Sequence, residues 1–217
     1  MTANLPEPTT RPADRGAATR SALLTAAREV FISVGYAQAG VTDIVARAGA
    51  SVGSLYHHFT GKADLYVTLF EEFHQSQARR ARQAAREARE AGEARDPQDG
   101  SSSGGGSHPR QLFLAAARAY LDGCLQQREL SRLFVCGDAP PGFDLIMRHR
   151  LREWASRNAD FFARSAEPMD EAVAVVMTGA LMLAVAEVSL DEDAGHAGQL
   201  AHGVLEVMSG VSAGPAG

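Results

Sequence analysis

The sequence predicts an all-α protein with three short helices at its N-terminal end and a larger helical body behind them. Three observations carry this. Apolar residues recur at helical spacing along most of the chain, and no segment reads convincingly as a strand. Glycines and serines stand where helix ends need them. The run "DPQDGSSSGGGSHP" interrupts an otherwise helical pattern with the composition of a flexible linker, placed at about 96–108.

The elements follow in order. Residues 1–17, "MTANLPEPTTRPADRGA", read as a flexible N-terminal arm. Leu23, Leu24, Ala27, Val30, Phe31 and Val34 form the apolar face of a first helix, and Gly35 follows as its stop. Ile44, Val45 and Ala48 mark a short second helix, with Thr42 and Asp43 in its first turn and Gly49 at its end. Ser51 suits the N-cap of a third helix running to about Phe59. Thr60 or Gly61 starts a fourth, which buries Leu65, Leu69, Phe70 and Phe73 and continues into the Ala/Arg/Glu-rich, largely solvated stretch "QARRARQAAREAREAGEARD". Further helices are expected at about 109–127, 129–137, 143–165, 168–189 and 194–209, with Pro168 in a first turn. The domains expected are the arm (1–17), a head (18–61) and a body (62–217).

Composition narrows the function classes. A chain of 217 residues with 45% apolar content can bury a substantial core. Its first twenty residues hold no apolar run, so neither a secretory signal nor an anchor is expected there, and a cytoplasmic location is. The segment from Ala172 to Ala186, "AVAVVMTGALMLAVA", falls short of the ~20 residues of a spanning helix and reads as a buried one, so no membrane partner is expected. Two cysteines, Cys124 and Cys136, are too few for a disulfide scaffold or a four-thiolate zinc site. The net charge is −5, yet residues 1–62 hold six basic groups against four acidic ones, a net +2. A mildly basic head on an acidic body suits a protein that presents one end to a polyanion.

The third helix is the informative stretch. On a helical wheel Val52, Leu55, Tyr56 and Phe59 share one side, while Gly53, Ser54, His57 and His58 share the other. The polar side carries no Lys, Glu or Arg of the kind that fills a solvated face. It offers a hydroxyl, two imidazoles and a glycine that admits a close approach. After a short helix and the turn "GAS", such a face belongs to a helix-turn-helix entering the DNA major groove. Adjacent histidines diverge by about 100° and have no cluster of other ligands beside them, so no metal is expected. Lys62, the chain's one lysine, starts the fourth helix. No spacing of nucleophile, acid and base, or metal set points to an enzyme, and no cofactor is expected.

The stretches "TRSALLTAAREVFISVGY" and "DIVARAGASVGSLYHHFTGKADLY" resemble the DNA-binding domain of the TetR family of bacterial transcriptional regulators, over about Thr19 to Phe70. The resemblance implies a three-helix helix-turn-helix head and a helical body that dimerises through its last two long helices and encloses a small-molecule pocket. It implies a regulator, most often a repressor, released from DNA by a ligand. It carries DNA contacts onto Thr42, Ser51, Val52, Gly53, Ser54, Tyr56, His57, His58 and Lys62. Gly40 stands where the family often has Thr or Ser, which removes a hydroxyl cap and a possible phosphate contact, and Ala50 replaces the usual valine of the turn.

The body is read from its own residues. A helix apolar all round must be covered on more than one side, so Val176 and Leu183 on it, with Leu200, Val204, Leu205 and Met208 on the next, are the expected homodimer interface, and two-fold symmetry predicts a palindromic double-stranded operator. Phe113, Tyr120, Phe134, Met147, Trp154, Phe161 and Phe162 are candidates to line a pocket for a small-molecule effector, or to be plain core. Arg150 either pairs an anionic ligand or is a solvated charge. Two other readings stand beside the regulator: a helical protein-interaction adaptor, and a redox-responsive regulator without a ligand.

Overall fold

The computed structural model describes residues 12–95, 109–163 and 171–210, with side chains for 15–92, 109–158 and 172–210. The expected linker at 96–108 and Pro168 lie outside them. Among the described residues the chain forms nine helices and no strand: α1 (Pro12–Gln38), α2 (Val41–Ala48), α3 (Val52–His58), α4 (Lys62–Arg95), α5 (Pro109–Gln126), α6 (Arg128–Cys136), α7 (Phe143–Ala163), α8 (Glu171–Leu190) and α9 (Ala194–Gly210). They divide into two compact units that meet in sequence at Leu69 and Phe70.

In the first unit each helix ends for a local reason. α1 begins with proline at the first helical position, where its missing N–H costs nothing. Residues 12–17, expected in a flexible arm, therefore form the first turns of α1. Gly35 breaks its regular geometry with φ 78°, ψ 168°, a conformation open to glycine. At the end of α2, Gly49 is left-handed, its N–H bonds the Ala46 carbonyl at 3.3 Å, and Ala50 N–H bonds that of Val45 at 2.9 Å. Gly40 precedes α2 with no side-chain cap. Ser51 caps α3, its Oγ accepting from the Ser54 N–H at 3.0 Å. Ahead of α4, the Thr60 N–H donates to Asp64 Oδ2 at 2.8 Å.

The core of this unit is Leu23, Ala27, Phe31, Ile44, Leu55, Leu65 and Tyr66, all fully buried. Phe31, Tyr36 and Tyr66 close an aromatic triangle with centroids 5.2–5.8 Å apart. Val34, expected on the buried face of α1, is half exposed.

In the second unit α8 packs against α5, α6, α7 and α9. Its apolar stretch runs Ala172–Leu190, 19 residues, longer than the sequence reading allowed and sufficient by length and composition alone to cross a membrane. Within the unit it touches four other helices, and 44% of that stretch is buried. Polar links cross the packing: Ser131 and Ser189 share a 2.7 Å hydrogen bond between α6 and α8, and Asn158 Nδ2 donates to Thr178 Oγ1 at 2.9 Å between α7 and α8. Phe70, Phe73, Phe134 and Phe143 form a separate aromatic cluster.

Candidate DNA-binding surface and ligand cavity

A two-turn helix lying on two others buries a single i, i+4 row, and on α3 that row is Leu55 and Phe59. Val52 and Tyr56, assigned to the apolar side by the wheel, are instead 43% and 57% exposed. With Ser51, Gly53 and His57 they form the outward face, and Thr42 on α2 is exposed as well. Ser54 is half-buried, and its hydroxyl shares a 3.0 Å hydrogen bond with that of Ser51.

The two histidines separate. Their rings meet edge to face at 4.9 Å, His57 exposed and His58 half-buried beside Gly16 of α1, where an added Cβ would stand 3.9 Å from the His58 ring. Gly53 has no steric reason to be glycine within the chain, since a Cβ there would meet only Ser51 Oγ, at 3.7 Å. Lys62 is engaged inside the head: its Nζ donates to the carbonyls of Tyr36 at 2.7 Å and Ala37 at 3.2 Å, and lies 4.4 Å from the centre of the Tyr36 ring. An ammonium has three donors, so one stays available to a phosphate. Arg47 is held by Glu29 at 3.0 Å.

The second unit contains a cavity of about 610 Å³. It brings together Phe113, Tyr120, Met147, Arg150 and Trp154, five of the residues the sequence proposed, and adds Leu112, Leu151 and Met182. Phe134 is not among its lining residues; it belongs to the cluster with Phe70, Phe73 and Phe143. The Phe161 and Phe162 side chains lie outside the described residues.

Sequence reasoning missed the contribution of α4, read there as solvated beyond Phe73. His74, Ala78, Ala81, Arg82, Ala85, Arg86 and Arg89 line the cavity, and the repeat of small residues at 78, 81 and 85 was the available sign that this face lies against something. His74 shares a 3.2 Å hydrogen bond through Nδ1 with the Tyr120 hydroxyl. Burial lowers its pKa to about 4, with Glu71 opposing and Arg150 adding to the shift, so the ring is neutral at pH 7. Burial likewise raises the Tyr120 pKa, and Trp154 stacks on that ring at 5.0 Å. Arg150, its side chain 38% exposed, donates to Glu71 Oε1 through Nε at 3.1 Å and to Glu153 Oε2 through Nη1 at 3.0 Å.

The two thiols differ in access. Cys124 is 1% exposed and burial pushes its pKa to about 12, while Cys136 is exposed with its pKa also raised. Neither is thiolate-prone at neutral pH. Among the described residues no group of three or more metal-ligating side chains gathers.

On the last two helices Val176, Leu183 and Leu190, seven apart on α8, are 65%, 63% and 41% exposed, and Val207 on α9 is 71% exposed. Leu200 and Val204 are half-buried. Leu205 and Met208, expected at a dimer interface, are 6% and 2% exposed within the chain itself, because α9 turns them onto its own subunit's core. Val207 takes their place on the outer surface.

Residues 23–69 match the profile of a family described as bacterial regulatory proteins, tetR family. The chain is 46% identical over 52 residues to the HTH-type transcriptional activator FasR of Mycolicibacterium smegmatis, a match covering 24% of each protein. It is 40% identical over 53 residues to the HTH-type transcriptional repressor BepR of Brucella suis, covering 24% of this chain and 25% of that one. These matches thus span about a quarter of the relatives' length. Beyond them the likeness is one of fold: the SmeT–triclosan complex superposes with a TM-score of 0.62 over 88% of this chain and 90% of that one, at 18% identity. Residues 23–69 are thus a domain of the kind found in the tetR family of bacterial regulatory proteins.

Proposed function

We propose that the chain is a ligand-responsive DNA-binding transcriptional regulator: a cytoplasmic homodimeric repressor that binds a palindromic operator and is released when a small molecule fills the body cavity. The observation that carries this reading is the outward face of α3. Val52, Gly53, Tyr56 and His57 are exposed there and the head's own packing makes no use of them, while Leu55 and Phe59 fix the helix from behind.

In this reading His57 and Ser54 address base edges, while Thr42, Ser51, Tyr56, Lys62 and the partly turned His58 serve phosphates, with Val52 and Gly53 in close apolar contact. The domains assigned are a DNA-binding head to about residue 61 and a ligand-binding, dimerising body after it. The exposed Val176, Leu183, Leu190 and Val207 support dimerisation, since a soluble monomer seldom leaves such a group uncovered. The body cavity supports the small-molecule step, and SmeT, whose fold is similar, is known with triclosan bound. The thiols' raised pKa values give the redox alternative no support. No catalysis is assigned.

The test is a gel shift on the DNA upstream of the protein's own gene, with and without candidate ligands, paired with a reporter under that promoter. A specific complex of dimer mass, dissolved by ligand, with reporter output rising on gene deletion, is expected. Equal affinity for random DNA would overturn DNA regulation, and falling output on deletion would make the protein an activator, as FasR is described.

A further inference from the structure

We infer that the body cavity takes an amphipathic anion, a molecule with an apolar chain and a single carboxylate or phosphate head. This deepens the regulator reading and rests on it only for the claim that the ligand governs DNA binding.

The floor of the cavity is apolar, formed by Leu112, Phe113, Met147, Leu151, Trp154 and Met182. Its polar groups are unevenly charged. Five arginines line it, Arg82, Arg86 and Arg89 on α4 and Arg150 and Arg157 on α7, against Glu71 as the acidic lining residue. Glu71 is occupied, because Arg150 binds it and takes Glu153 with its other edge. Among the described lining residues Glu71 is the one carboxylate, and its Oε1 is taken by Arg150. His74, neutral at pH 7, and Tyr120 satisfy each other at 3.2 Å.

The α4 arginines are placed differently. Positions 82, 86 and 89 recur at i, i+4 and i+7, one face of the helix, the arrangement in which like charges repel. Arg82 and Arg86 have no ion pair or hydrogen bond among the described residues, although Glu90 stands one turn beyond Arg86. Arg157 is close enough to Glu153 to help lower that carboxyl's pKa. Beside the α4 arginines, the small side chains of Ala78, Ala81 and Ala85 keep the wall open. Exposed guanidinium groups at the rim of an apolar floor are matched by an oxyanion head, carboxylate or phosphate, which they bind bidentately, on an apolar chain. A volume near 610 Å³ lies within the ordinary range for small-molecule sites.

Trp154, the only tryptophan of the chain and part of the lining, is the natural reporter. Its fluorescence, with calorimetry in parallel, is followed on the full-length protein with four probes of like chain length below their micelle concentrations: decanoate, decyl phosphate, decanol and decyltrimethylammonium. At least one anion is expected to bind roughly tenfold or more tighter than the alcohol and the cation. The double variant Arg82→Gln/Arg86→Gln, which keeps good helix formers at both exposed sites, is expected to bring the anion to the level of decanol and to leave decanol within about twofold. Decanoate and decyl phosphate compared directly assign the head group.

Equal or tighter binding of decanol or the cation would overturn the inference. So would a double variant that keeps the anion preference, or the failure of every probe to bind. The same probes in the gel shift separate the two readings. Arginine-dependent anion binding that leaves DNA affinity unchanged upholds the cavity inference and defeats its role as effector site. Release of DNA by decanol as readily as by decanoate upholds the regulator and defeats the inference.

Discussion

The head and the body are built by different rules. In the head, α2 and α3 are 8 and 7 residues long, and each boundary is written beside the helix it bounds, as at Gly49 after α2 and Ser51 before α3. The side chains left over on the outer face of α3, Ser51, Val52, Tyr56 and His57, include no Lys, Arg, Asp or Glu. In the body, helices of up to 21 residues begin within the unit, and the cavity collects residues from α4, α5, α7 and α8, separated by more than a hundred positions. The comparison teaches that a surface made by one short helix can be read from a dozen residues, whereas a cavity made by four helices cannot.

The hardest test of that separation is Phe31→Ala. It removes a fully buried ring from the aromatic triangle and is expected to cost the head about 3–5 kcal/mol. DNA binding should fail while the unfolding transition seen by Trp154, which lies in the body, stays within error of wild type. A matching shift of the Trp154 transition would show that the two units are one cooperative structure.

The body's counterpart is pH. His74 has its folded pKa lowered by burial to about 4, below the 6.5 of an unfolded histidine, so the unfolded chain binds more protons between those values. The neutral ring's full stability is therefore present above about pH 6.5 and is lost as pH falls toward 4, where the difference reaches about 3 kcal/mol. In urea titrations followed by Trp154, His74→Gln should lose less stability than wild type across that window. Parallel pH profiles would mean that the ring is not desolvated.

Lys62→Met keeps the stem and removes two charged hydrogen bonds to the Tyr36 and Ala37 carbonyls. We expect the head to lose about 1–3 kcal/mol and the salt slope of DNA binding to fall by about one unit per head. A changed slope with unchanged stability would assign Lys62 to DNA alone.

Gly53→Ala sharpens the contrast most finely. Its Cβ meets only Ser51 Oγ at 3.7 Å, and alanine gains about 0.8–1 kcal/mol of helix propensity, so thermal stability should rise slightly while operator affinity falls. His57→Ala, at an exposed position, should leave stability unchanged and remove about 1–3 kcal/mol of operator preference per head. If both variants bind operator normally, the outer face of α3 is not the reading surface.

Helix ends were legible because capping is a matter of neighbouring atoms. A left-handed turn needs glycine at 49, and the free N–H of Ser54 needs an acceptor three residues back. The five body helices were legible to within a few residues for the same reason, and the family resemblance rested on such local features. The wheel went astray at Val52 and Tyr56, since amphipathic periodicity states which side chains agree with one another and not how wide a strip their neighbours cover.

The sequence by itself determined the helices, their stops and the helix-turn-helix, because each depends on interactions within one or two turns. Only the tertiary structure decided which buried aromatic lines the cavity and which is core. It sent Phe134 to the cluster with Phe70 and Phe143, and it turned Leu205 and Met208 inward while Val207 stayed out. It neutralised Arg150 with Glu71, 79 residues away, and left Arg82 and Arg86 to face the cavity. Burial and electrostatic pairing are set by distance in space, and helical periodicity holds no information about which distant turn will arrive opposite.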